Sequence, residues 1–458
     1  MESVFKKNQS WKWLVVFAAA LVPLVFPLSF EYKLFLAITI WAIVVWAFDL
    51  IQYAVVALFL PVIFWACKLG AANVCFSGWF SASTWLTIGG LLFGVSFLRC
   101  GLAKRIAYKM LSLTNGSFPA IVFALALSCV IITPVIPSLM GKVLIMVPIA
   151  IQKSNALGLK KGEGGAAALI MTVFFALWSP KMAFPTASVD AVSAMNILRE
   201  QYAFDVTWLS WVIDMFVPAM LWTVISVSLV FLFKPGKISV PKATLVERYR
   251  GLGPMHLAEK KNLIMAIIIV AMLATQDLHH IDPAVVMVSA ALICFIPEMD
   301  LLKAEDFKKT DLSVVFFLAG VTSIGAVAKA LGITTDIVNI LGPILEGQSN
   351  LALVMILFVF SILANFLLNP LALIAILMGP VAELCMGLGF APTLGAYSMI
   401  MGFNHAQFPY EIAPFILVYS FGYFRIGQAA KVMAVRIAAG LVFMPLIVYP
   451  WWMIVGLV

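Results

Sequence analysis

Residues 130–151 read VIITPVIPSLMGKVLIMVPIAI, apolar at both ends and interrupted between them by Thr133, Pro134, Pro137, Ser138, Gly141 and Lys142. In lipid every backbone polar group needs an internal partner, so an open stretch survives only where protein or a watery cavity encloses it. A second interrupted stretch, residues 351–388, is broken around Asn365, Asn369, Pro370, Gly379 and Pro380. Two broken apolar segments in corresponding halves of a chain are the sequence pattern of a transporter's binding site.

The surrounding sequence supports a membrane setting. It is 64% hydrophobic and 11% charged, against roughly 25% charged residues in soluble domains. Apolar runs of about 20 residues recur along the length, as bilayer-spanning helices require. The expected class is an all-α polytopic membrane protein of the cell (inner) membrane. The first run, residues 13–28, has no small-residue cleavage site and is expected to stay as a helix. The net charge of +8 fits Lys- and Arg-rich cytoplasmic loops, and no nucleic-acid partner is expected. Cys67, Cys75, Cys100, Cys129, Cys294 and Cys385 form no CxxC pair and read as small buried residues.

Charge placement sets the expected topology. Lys6, Lys7 and Lys12 put the N-terminus in the cytoplasm. Spans follow at 13–28, 33–48, 53–65 and 84–102, and Lys104, Arg105 and Lys109 fall inside again. The broken segment 119–152 is flanked on its far side by Lys153, Lys160 and Lys161. Both its ends therefore lie on the cytoplasmic side, which makes it a re-entrant hairpin. The span 164–197 carries a further break, WSPKMAFPT at 178–186, and a span at 208–233 leads to a basic linker from Lys234 onward.

The second half repeats the plan, with spans at 263–275, 283–296 and 312–330, a hairpin at 351–388 entering from outside, and a span at 394–424 broken by FNHAQFPYEIAP. Arg425, Lys431 and Arg436 are assigned to the inner end of the last span, which closes on the aromatic anchor PWW. The total is about 11 transmembrane helices plus two hairpins. GLLFGVS at 90–96 is echoed by FFLAGVT at 316–322, and the halves begin on opposite sides of the membrane. That is an inverted repeat.

With these pieces in place, the chain resembles the divalent anion/sodium symporter family, carriers of dicarboxylates, citrate, tartrate and sulfate. The resemblance is carried by LTIGGLLFGVSFLRCGLAKRIA, TPVIPSLMGKVLIMVPI and PYEIAPFILVYSFGYF followed by PWW. It implies a homodimer with scaffold and transport domains and elevator motion. On that plan residues 1–83 are scaffold and 84–206 hold the inward hairpin with its broken helix. Residues 207–311 are scaffold again, 312–424 hold the outward hairpin with the second broken helix, and 425–458 form the last helix. The family places Ser-Asn-Thr at each hairpin tip to hold carboxylates and sodium. Here the tips read Ser138-Leu139-Met140 and Pro370-Leu371-Ala372, so Ser138 alone carries over.

Charged residues in the breaks are the expected replacements. An ionised side chain at the membrane's middle costs about 2.5–3.5 kcal/mol and marks a functional or paired group. Lys142 and Lys181 would neutralise a substrate carboxylate without sodium; Asp190 is a candidate partner for Lys181. Glu411, with His405 and Asn404 beside it, is a candidate for pairing with a lysine or for taking up a proton. The substrate-binding candidates are Ser138, Lys142, Ser179, Lys181, Thr186, Asn369, Pro370, Asn404, Pro409 and Glu411, and the ion-coupling candidates are Glu411, His405 and Lys181. His279 and His280 are too few to bind a metal, and no cofactor motif or catalytic constellation is present. The expected function is secondary transport of a small di- or tricarboxylate anion by sodium-independent exchange. The alternatives are proton- or sodium-coupled anion symport and, in another class, a non-transporting membrane sensor or scaffold.

Overall fold

The computed structural model describes residues 10–48, 50–136, 138–233 and 239–458, with Tyr410 described by its backbone. Lys6, Lys7, Pro137 and Lys234, used in the reading of topology and of the first break, lie outside the described residues. Among the described residues, seven helical segments are long and apolar enough to cross a membrane unaided, and six shorter helices are also apolar.

The first half opens with α1 (Ser10–Leu21), α2 (Phe30–Ala47), α3 (Tyr53–Ala66) and α4 (Ala82–Arg99). Gly101 then turns the chain at φ 81°, a left-handed conformation that costs an L-residue roughly 1–2 kcal/mol. It launches α5 (Leu102–Ser112), which buries Leu102, Ala103, Ala107 and Leu111 and exposes Lys104 and Lys109. The hairpin follows as α6 (Phe118–Ile132) and α7 (Leu139–Ala156). The broken helix is α8 (Gly164–Trp178), two short 3-10 turns that each begin at a proline, and α9 (Val189–Asn196). Proline has no N–H to extend a helix, so Pro180 ends α8 here, and Pro185 opens the second turn. The opening runs two residues further than the sequence suggests, to Ser188, which caps α9 through the Ala191 amide. Next comes α10 (Trp208–Ser228).

Helix α11 (Lys242–Arg250) lies in the linker. Arg105 of α5 is 7% exposed and fastens that linker, donating to Glu259 Oε1 at 2.7 Å and to the Gly253 and Pro254 carbonyls. The second half contains α12 (Leu257–Ala274), α13 (Pro283–Phe295) and α14 (Ser313–Leu331). Gly332, at φ 83°, repeats the turn at Gly101 and launches α15 (Ile333–Leu345). The outward hairpin is α16 (Asn350–Asn365) and α17 (Pro370–Gly387); the second broken helix is α18 (Pro392–Phe403), a 3-10 turn at Pro409–Glu411, and α19 (Ala413–Ser420). The chain closes with α20 (Ile426–Phe443) and α21 (Tyr449–Ile454).

The eleven expected spans and both hairpins are therefore present as helices among the described residues. Helices α5 and α15 are additions the sequence reading left as loops. Each hairpin packs on the broken helix of its own half, α6 and α7 on α8, α16 and α17 on α18. From Gly165 to Trp178 every residue of α8 is buried, as expected of a helix that is apolar all round. Helix α14 lies along α3 so closely that a Cβ on Gly320 would sit 1.9 Å from the Ala57 carbonyl oxygen.

Candidate functional site

Each hairpin tip is built by a helix cap. Ser138 Oγ accepts from the Gly141 amide at 3.0 Å and Asn369 Oδ1 accepts from the Ala372 amide at 3.0 Å, each three residues on. A short polar side chain at that position satisfies an otherwise orphaned helix N–H. By cap geometry the counterpart of Ser138 is Asn369, the residue before Pro370. Pro370 is the first residue of α17, where a missing N–H costs nothing. Pro409 opens the 3-10 turn of the second break in the same way.

The two breaks meet each other. A helix end leaves its last carbonyls without partners, and α8 and α18 both end there. Trp178 Nε1 donates to the Asn404 carbonyl and Asn404 Nδ2 donates to the Trp178 carbonyl, each at 2.9 Å. Arg436 of α20 closes the arrangement. Its Nε donates to Ser226 Oγ at 2.9 Å, its Nη2 to Ser179 Oγ at 3.1 Å and to Asn404 Oδ1 at 2.5 Å, and its Nη1 to the Asn404 carbonyl. The guanidinium lies 4.9 Å from the Trp222 ring centroid and is 1% exposed. Arg436 is therefore buried inside the protein, well within α20 and not at its exposed start. A charge isolated within an apolar run was the readable signal for that burial.

Lys181 pairs with Asp190 across the first break and lies 4.0 Å from the Trp178 ring centroid. The pairing proposed from sequence is present. Lys142 is fully buried and does not snorkel; its Nζ donates to the Ala187 carbonyl at 3.1 Å, fastening the first hairpin to the first break. Thr186 Oγ1 supports the same joint by donating to the Pro134 carbonyl at 3.0 Å. Asn365 does the equivalent in the second half, donating from Nδ2 to the Phe403 carbonyl at 3.0 Å.

Glu411 pairs with no lysine among the described residues. Its Oε1 accepts from the Gln407 and Phe408 amides at 3.0 and 2.7 Å, because a free helix-turn start offers those donors first. Its Oε2 is buried without a partner among the described residues. His405 Nδ1 meets the Met401 carbonyl at 2.8 Å, and the ring is held between Trp222 and Phe358.

Lys181, Ser188, Asp190, Ile374, Phe403 and Asn404 line a chamber of about 10 Å³, room for roughly one water. It joins the first break to the second break and, through Ile374, to the second hairpin. Ser138, Asn369, Pro370 and Pro409 are not among its lining residues, and Ser179 faces Arg436. Trp178, Ser226 and Arg436 are contributors the sequence reading missed. Trp and Ser are ordinary in apolar helices, so only Arg436 carried a readable sign.

Set against known proteins, residues 7–458 match the model of the sodium:sulfate symporter transmembrane region. An uncharacterized transporter of Haemophilus influenzae is 23% identical over 292 residues, 61% of this chain and 60% of its own length. A membrane protein of Cupriavidus necator is 24% identical over 387 residues, covering 79% of this chain and 75% of that protein. Dicarboxylate transporter 1, chloroplastic, of Spinacia oleracea is 26% identical over 203 residues, 43% of this chain and 35% of that one. Among solved structures, the Alcanivorax borkumensis YdaH transporter shares the fold with a TM-score of 0.57 and 16% identity, over 90% of this chain and 98% of that one.

Proposed function

Because the chain belongs to the sodium:sulfate symporter family, we propose that it exchanges small di- or tricarboxylate anions across the cell membrane without sodium. The observation that carries this reading is the meeting of both helix breaks at one chamber set among buried cations. Lys181 lines it paired with Asp190, while Lys142 and Arg436 lie buried in the joints around it with no carboxylate partner among the described residues. An excess of fixed positive charge in a low-dielectric interior favours an anionic solute. The spinach relative named as a dicarboxylate transporter agrees with that class.

The chamber is too small for a dicarboxylate as it stands, so the walls must part to admit one. The wall from the second half is Ile374, Ile400, Phe403 and Asn404; it carries no ion pair among the described residues, and the Asn404–Trp178 hydrogen bonds are what hold it to the first half. We assign the opening to motion of a transport domain against a dimeric scaffold, with the N-terminus cytoplasmic.

Counterflow in proteoliposomes tests the exchange directly. Labelled succinate, malate, citrate and sulfate would be offered against each unlabelled anion, in sodium or choline medium. Uptake should require an anion on the far side and ignore sodium; uptake of none of the four, or a strict sodium requirement, sinks it. A proton-coupled reading rests on the unpartnered Glu411 Oε2. It predicts uptake driven by a pH gradient and abolished in Glu411→Gln.

A further inference from the structure

Arg436 is a positive charge buried inside the protein, and no carboxylate pairs with it among the described residues. All four of its hydrogen bonds go to neutral oxygens: Ser226 Oγ, Ser179 Oγ, Asn404 Oδ1 and the Asn404 carbonyl. Such a charge needs a compensating field. Helices α8 and α18 both end at this point, and a helix C-terminus carries roughly half a negative charge. Two of them together approximate the missing counter-charge. In transporters with broken helices, unwound carbonyls and half-helix C-termini are the groups that coordinate a mobile driving cation.

We propose that Arg436 is a tethered cation that permanently fills this role, joining the C-terminal ends of α8 and α18 so that transport needs no dissolved cation at this point. The inference rests on the exchange reading above, because a fixed charge cannot supply a gradient. It goes further in naming a positioning residue on the last helix and the groups it neutralises. The guanidinium spans both breaks at once, reaching Ser179 of the first and Asn404 of the second. Its ring contacts with Trp222 and Phe175 hold the plane in place.

The test uses the purified full chain in detergent and follows its thermal midpoint, so it does not depend on finding the substrate. Arg436→Ala should lower the midpoint by several degrees. Millimolar guanidinium or sodium should restore much of that loss, while choline should not; wild type should respond to none of them. An unchanged midpoint in the variant, a loss that no small cation restores, or wild type stabilised by sodium would each overturn the proposal. Should Arg436→Ala not fold, Arg436→Lys and Arg436→Gln decide. The charged variant should keep the wild-type midpoint within a few degrees and the neutral one should not; equal behaviour overturns it. Failure of counterflow with this result intact would defeat the exchange reading alone.

Discussion

Lys181 and Asp190 show how one contact carries several roles at the scale of a residue. Their ion pair spans the 3-10 turns of the first break, with side chains 6% and 21% exposed. Removing one partner of a buried pair strands the other, whereas replacing both with neutral groups of similar shape is far milder. Lys181→Met should therefore cost about 2 kcal/mol in a detergent melt, discounted for the solvent that reaches Asp190. Lys181→Met combined with Asp190→Asn should recover most of that stability and still fail to exchange anions. Recovery of both would show the pair to be scaffolding only. Glu411 is a cap by its contacts, so Glu411→Ala should cost about 0.5–2 kcal/mol and Glu411→Gln much less, read in the same melt. Lysines and carboxylates inside apolar runs are legible in a sequence because burial makes them expensive. The clasp of Trp178 and Asn404 is not, since neither residue type is out of place in its own segment.

Elements repeat across the halves more faithfully than residues do. The hairpins and broken helices could be read in advance, because proline and glycine interrupt apolar runs whatever the surroundings. Helices α5 and α15 could not. Each is short and mixes polar with apolar positions, so each reads as a loop until it has a surface to lie on. Both begin at a left-handed glycine, Gly101 and Gly332. Gly332→Ala should destabilise by about 1–2 kcal/mol. Gly342→Ala, inside α15 with nothing within 4 Å of the added methyl, should be neutral or stabilise by about 0.5–1 kcal/mol. Paired thermal melts decide; similar losses at both positions would mean that packing, not backbone conformation, governs these helices. The caps Ser138 and Asn369 were each visible as residues, but their equivalence was not, because proline spacing sets the register only to within one position.

The whole molecule follows from these joints, which hold the break of one half against the break of the other. The orientation proposed here predicts which loops face which side. In a cysteine-free background, Arg250→Cys in the linker should react with an impermeant maleimide only after the cells are opened, and His280→Cys should react in intact cells. The reverse pattern would invert the topology. The contacts that close the centre are far apart along the chain: 226 positions between Trp178 and Asn404, and 257 between Ser179 and Arg436. The ribosome therefore finishes α8 long before anything exists to satisfy its ragged end. While those 226 positions are made, the nascent protein holds a half-made polar seam. A product cut short ahead of Arg436 would keep nearly all its helices and still lack the stitch that holds them together, which makes it a target for membrane proteases.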